Sequence, residues 1–99
     1  LDFLSKNNRN RPQIVAGFSA ETQSVIKNST QKMKNKNCDI IFANDVSKKD
    51  IGFNSEFNKV SVIDQKGNIK IIPKNKKSFI ANKIAQILLD KLIDDRNFN

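Results

Sequence analysis

The stretch Ile14-Val15-Ala16-Gly17-Phe18-Ser19-Ala20-Glu21-Thr22, read with its echo Ile40-Ile41-Phe42-Ala43-Asn44-Asp45-Val46-Ser47, decides the fold. In each, a short apolar run gives way to small and polar residues. Residues 13–16 predict a short buried strand that Gly17 breaks. Residues 38–43 predict a second strand, almost continuously apolar, as suits a parallel strand covered on both faces. A helix is predicted between them, ending near Asn35 or Lys36, with Val25, Ile26 and Met33 turned inward. Ser19 or Thr22 is placed to cap it, Glu21 suits its positive start, and Asn35 and Asn37 suit its end. The connection is long enough for a right-handed βαβ crossover. Ligands of open α/β sheets bind beyond the carboxyl ends of the strands, so the two polar blocks mark a binding edge.

Working outward, residues 44–58 predict a long loop, of a length that compact domains keep mainly for binding. Residues 59–64 and 68–72 alternate around Gln65-Lys66-Gly67, which is a β-hairpin signal. Val60, Val62, Ile69 and Ile71 offer it a buried face, and Pro73 ends it. From Ser78, Ile80, Ile84, Ile87, Leu88 and Leu92 fall at helical spacing, so a closing helix should pack on the sheet. Residues 94–99 read as a frayed tail. At the other end, residues 1–6 suit the last turn of a helix, residues 7–11 a turn, and Pro12 the start of the next element. Two parallel strands and one crossover make a poor core, and the chain begins at Leu1 with Phe3 and Leu4 close behind. The expectation is a fragment of a larger α/β domain spanning residues 1–99.

Composition narrows the function classes. With 99 residues, 18 basic and 10 acidic side chains, the formal net charge is +8. That invites a nucleic-acid reading, but the lysines are spread along the chain and only three arginines occur (Arg9, Arg11, Arg96). A dedicated binder gathers its basic residues on one element. Lys, Asn and Ile are enriched together while Trp and Tyr are absent, the pattern of compositional drift. No apolar stretch approaches the roughly 18–20 residues of a membrane span. The start lacks a secretion signal, and Cys38 is the lone cysteine, so the setting is expected to be cytoplasmic, with no disulfide framework. Asn28-Ser29-Thr30 fits a glycosylation acceptor only by chance.

The chemistry available is binding. There is no histidine, so no Ser-His-Asp or Cys-His nucleophile system can be built. The acids are scattered, without a spacing for paired acid–base work or a metal site. No Walker loop or dinucleotide fingerprint occurs. Lys32 and Lys36 share a helix face, where like charges repel by a few tenths of a kcal/mol, roughly, and a polyanion would offset that repulsion. Lysine suits phosphate as a flexible point charge, although a solvated face in a Lys-rich chain has the same pattern. Phe18 could cover a nucleotide base or, more plainly, cap the core at a strand end. Phe53 and Phe57 have the same two readings. Cys38 reads as a small buried hydrophobe, and Asn44 and Asp45 as caps for their own loop.

Four ordered motifs resolve part of this. Gly17-Phe18-Ser19-Ala20-Glu21-Thr22, Lys32-x-x-x-Lys36, the block from Asp39 to Ser47, and Gly52-Phe53-Asn54-Ser55-Glu56-x-Asn58 resemble the C-terminal part of bacterial phosphopantothenoylcysteine synthetase. The resemblance covers nearly the whole chain. It implies a partial Rossmann-like sheet, a hairpin and a C-terminal helix. It implies a CTP-dependent ligase joining 4′-phosphopantothenate to cysteine through an acyl-cytidylate, with Mg²⁺ accompanying the nucleotide. Flavin mononucleotide would belong only to a fused or partner decarboxylase half. By position, Phe18, Lys32 and Lys36 would contact CTP. Asn44 and Asp45 would lie beside the site without an assigned contact, and the Gly52 block would order a loop or pack an interface. Ser19 stands where the family commonly has Ala. The family's phosphate-binding loop and lysine flap fall upstream of Leu1, so no catalytic residue is expected in these 99 residues and the isolated chain should be inactive. Family members are homodimers, and a larger assembly with the decarboxylase half fits too. The rivals are a basic nucleic-acid-binding module and a non-catalytic interaction domain.

Overall fold

The computed structural model describes residues 14–48, 51 and 55–98, with the backbone alone for 94–98. Its elements run β1 (Ala16–Glu21), α1 (Val25–Asn35), β2 (Ile40–Asp45), β3 (Phe57–Asp64), β4 (Ile69–Lys76) and α2 (Lys77–Phe98). The strands form one mixed sheet in the order β1-β2-β3-β4, with β1 parallel to β2 and the other pairs antiparallel. The expected α/β class, with its parallel unit, hairpin and closing helix, is what forms.

The first strand lies further along the chain than its apolar run suggests. Gly17 does not break it, and Ser19 and Glu21 are strand residues rather than caps. Six consecutive pairings, from Ala16 with Ile40 to Glu21 with Asp45, occupy the ladder along the whole motif. Sheet pairing of this kind overrides weak local strand preference. Alternation then sets the faces. Gly17, Ser19 and Glu21 are buried beneath α1, while Phe18 and Ala20 point to the other face and are exposed. Gly17 is required by close approach: a Cβ there would lie 3.0 Å from Cys38 Sγ and 3.6 Å from Ile41. Asp39 anchors the strand start, its Oδ2 accepting Val15 N–H at 2.7 Å while its own N–H donates to Val15 O at 2.8 Å.

α1 starts later than expected. Its N-cap is Ser24, which takes a left-handed conformation and makes no side-chain capping bond, and its first turn holds no acid. Its end follows the sequence. Asn37 is left-handed (φ 52), its N–H donates to Lys34 O, and Cys38 N–H donates to Met33 O. Those paired bonds satisfy the last carbonyls and turn the chain into β2. Ile26 and Met33 pack with Val15, Cys38, Ile41 and Ile63 on one face of the sheet. Val25 is only half-buried and lies outside that cluster.

The opposite face carries Ile40, Phe42, Val60, Val62 and Ile72, with Ile80, Ile84, Ile87 and Leu88 of α2 laid against them. The hairpin register corrects one expectation. Val60 pairs with Ile72 and Val62 with Lys70, so Ile72 joins the core under α2. Ile69 and Ile71 pair with Ile63 and Ser61 on the other face and remain exposed. Pro73 lies within β4, on the edge of the sheet where no neighbour needs its missing N–H. Asn44 and Asp45 end β2 as strand residues, which shortens the loop to residues 46–56. α2 continues to Phe98, through the region expected to fray. Residues 1–13, with the expected helix turn and Pro12, and residues 52–54, with Phe53, lie outside the described residues.

Candidate functional site

The candidate site residues are divided between sheet and helix: Phe18, Asn44 and Asp45 lie in β1 and β2, whereas Lys32 and Lys36 lie on α1, with Lys36 at the helix exit that leads into the start of β2. Phe18 points to the α2 face. Its ring stacks on Phe42 with centroids 5.4 Å apart and an interplanar angle of 23°, and the residue is still 62% exposed. An aromatic backed by a buried aromatic and open on its outer side is a stacking platform. Beside it on the same face, Asn44 Oδ1 accepts a hydrogen bond from Asn58 Nδ2 at 2.9 Å. Asn58 Oδ1 also accepts the N–H of Lys59, within the irregular step of register between Asn58 and Val60. One amide side chain thus caps the start of β3 and ties it to β2, bringing together two motifs fourteen residues apart.

The lysines lie across the sheet on α1. Lys32 Nζ reaches Glu21 Oε2 at 2.9 Å, pairing a side chain that is 49% exposed with one that is 6% exposed. That oxygen has no aligned hydrogen-bond donor among the described residues, so charge attraction rather than a directed hydrogen bond holds the ammonium. Glu21 therefore serves the third turn of the helix rather than its start. Lys36, the C-cap, is exposed and makes no ion pair among the described residues. Lys32 reaches the end of β1 through Glu21, whereas Lys36 sits where α1 turns into the start of β2.

Asp45 faces the loop. Burial raises its pKa, but hydrogen bonds from the Ser47 hydroxyl (2.6 Å) and amide (2.9 Å), with the charges of Lys59 and Lys48, outweigh that. It is held below the ordinary 3.8 and stays a carboxylate. This is the self-capping role its residue type suggests. Further round the loop, Ser55 Oγ accepts Phe57 N–H at 3.0 Å, and Ile51 is buried. Phe57 lies in β3 with Lys74 Nζ 5.0 Å from its ring centre. Cys38 is buried, as expected.

Among the described residues, no group of three or more acids and cysteines is arranged to hold a metal, and no helix is long and apolar enough to cross a membrane. A groove of about 420 Å³ between hairpin and α2, lined by Ile40, Asp64, Lys70, Ile87 and Lys91 among others, lies at the far end of β2 and includes no residue of this site. Reading the residues alone missed Glu21 as a partner of Lys32. The signal was present, since a carboxylate at an inward-facing strand position needs a cation, but the strand itself was placed too early.

Residues 1–92 match the family described as the DNA/pantothenate metabolism flavoprotein C-terminal domain. The chain belongs to this family. It is 40% identical over 90 residues to the coenzyme A biosynthesis bifunctional protein CoaBC of Escherichia coli strain K12, covering 88% of this chain and 21% of that protein. The counterpart from Borreliella burgdorferi is 40% identical over 83 residues, covering 83% of this chain and 20% of that one. The crystal structure of the C-terminal domain of a CoaBC protein superposes with a TM-score of 0.71 at 26% identity, covering 94% of this chain and 41% of that one. This chain therefore spans about a fifth of the curated relatives it matches.

Proposed function

We propose that this chain is the C-terminal part of a CTP-dependent phosphopantothenate–cysteine ligase and supplies one wall of its nucleotide site. The observation that carries this is the exposed Phe18 ring backed by Phe42, placed on the strand whose carboxyl end also holds the Lys32–Glu21 pair. Membership of the family and the likeness to the CoaBC proteins support it.

The chemistry proceeds in two transfers. A carboxylate oxygen of 4′-phosphopantothenate attacks the α-phosphorus of CTP, and pyrophosphate leaves. The cysteine amine then attacks the acyl carbon of the cytidylate, losing a proton as the amide forms and CMP departs. In this reading the cytosine stacks on the outer face of Phe18, which is worth about 1–3 kcal/mol per base. Lys32 and Lys36 meet the phosphates, where charge-assisted hydrogen bonds contribute about 1.5–3 kcal/mol each. A nucleotide laid across the carboxyl end of β1 reaches Phe18 on one face and Lys32 on the other, and its extension along α1 leads toward Lys36. Mg²⁺ travels with the triphosphate as part of the substrate. Groups that stabilise the transferring phosphoryl charge come from the rest of the ligase domain. The full protein acts as a homodimer, and a flavin mononucleotide would sit in a decarboxylase half outside this chain.

The test is the CTP affinity of the full-length protein carrying Lys32→Ala, Lys36→Ala or Phe18→Ala. A loss of about tenfold or more in each is expected, since 1.4 kcal/mol is about a factor of ten. Unchanged affinity in both lysine variants would remove them from the site.

A further inference from the structure

Glu21 is the one acid that the described sheet buries, at 5% exposure, on a strand facing a helix rather than solvent. A carboxylate costs several kcal/mol, roughly, to bury unless something compensates its charge. Its partner is Lys32, eleven residues on, whose stem crosses from α1 to the end of β1. The two ends of this pair differ. Glu21 is fixed by the ladder, its residue paired with Asp45 and its carbonyl accepting Val46 N–H at 2.9 Å. Lys32 is half exposed, and its ammonium is not aligned to Glu21 as a hydrogen-bond donor. A free lysine at a helix surface samples many rotamers, and an anion must arrest them. Here a rigid buried charge has already drawn the ammonium to the strand end while leaving its donors for a second oxygen.

Resting on the nucleotide reading above, we infer that Glu21 is a positioning residue that pre-sets the Lys32 ammonium for a phosphate of the bound nucleotide. It touches no substrate. Its effect on CTP passes through Lys32, and Lys36, which makes no ion pair among the described residues, is independent of it.

The experiment is a double-mutant cycle on the full-length protein, read as CTP affinity by equilibrium titration. Glu21→Gln keeps size and removes charge, and should weaken CTP about five- to twentyfold. In a Lys32→Ala background the same change should do nothing further. Glu21→Asp, which keeps the charge and asks the lysine stem to bend, should stay within about threefold of the parent. A role in packing alone predicts the reverse order, with Gln tolerated and Asp harmful, and this comparison stands even if one variant folds poorly. Unchanged or tighter CTP binding in Glu21→Gln, or an equal loss in both backgrounds, would overturn the inference while leaving the site intact. If Lys32→Ala alone leaves CTP affinity unchanged, the nucleotide reading of Lys32 fails first and Glu21 falls with it.

Discussion

Asn58 Nδ2 donates to Asn44 Oδ1 at 2.9 Å, fastening the entry of β3 to the penultimate residue of β2 across the loop between them. The same amide accepts Lys59 N–H at 3.0 Å, so one side chain serves both the irregular step in β3 and the loop closure. Removing it leaves a partly buried backbone donor and the Asn44 carbonyl unpaired. Asn58→Ala should cost about 1–2 kcal/mol. Amide exchange in the full-length protein should quicken at Lys59 and Ile51, while the protection of β1 stays as it was. Equal exchange in both proteins would show that the loop is held elsewhere.

Gly17 is set by contact rather than by backbone angle. Its absent Cβ leaves room for Cys38 Sγ, which a methyl would meet at 3.0 Å. Gly17→Ala should destabilise by about 1–3 kcal/mol, the usual range for overpacking. Adding Cys38→Ala should recover part of that loss. Urea midpoints of the two variants, measured side by side, check the compensation.

Ser19 presents the opposite case. Its Oγ is buried beneath α1 without a hydrogen-bond partner among the described residues, and an unsatisfied buried hydroxyl costs about 1–3 kcal/mol. Ser19→Ala should therefore stabilise the protein by about 1 kcal/mol, raising the melting midpoint by about 2–4 °C in a domain of 150–250 residues. A lower midpoint would mean that the hydroxyl has a partner in the full protein.

Acid should loosen the hairpin. Burial raises the Asp64 pKa, but the Asn68 side chain and amide, the Lys66 amide and the Lys91 charge outweigh it and hold the group below the ordinary 3.8. The turn geometry agrees, with Oδ1 accepting Lys66 N–H and Asn68 N–H at 2.9 Å each. A depressed folded-state pKa contributes stability that is present above the unfolded value and is lost as pH falls through the folded one. The loss should begin near pH 4 and continue below it. Asp64→Asn should flatten that part of the stability profile and leave its slope above pH 5 unchanged.

How far the residues announced this structure depends on what each face is made of. β2, β3 and α2 were legible because apolar side chains mark their buried positions, and the α1 exit because Asn37 suits a left-handed turn. β1 was placed too early because its buried face is Gly17, Ser19 and Glu21, which carry no apolar signal. Glu21 can be buried only because Lys32 comes to it, a tertiary fact that no local pattern contains. In β4 the run Ile69-Lys70-Ile71-Ile72 offers apolar residues to both faces, and pairing with β3 selects Ile72. The candidate site was proposed only through the four motifs. Phe18 alone reads as a core cap, and its exposed stack on Phe42 appears only when β1 pairs with β2.

The most direct measurement follows the products when the full-length protein is given CTP, 4′-phosphopantothenate and cysteine. The account predicts one CMP and one pyrophosphate for each phosphopantothenoylcysteine formed, with turnover at limiting CTP falling in the Phe18→Ala and Lys32→Ala variants. Release of CDP and phosphate, or no amide product while the protein is folded, would contradict it.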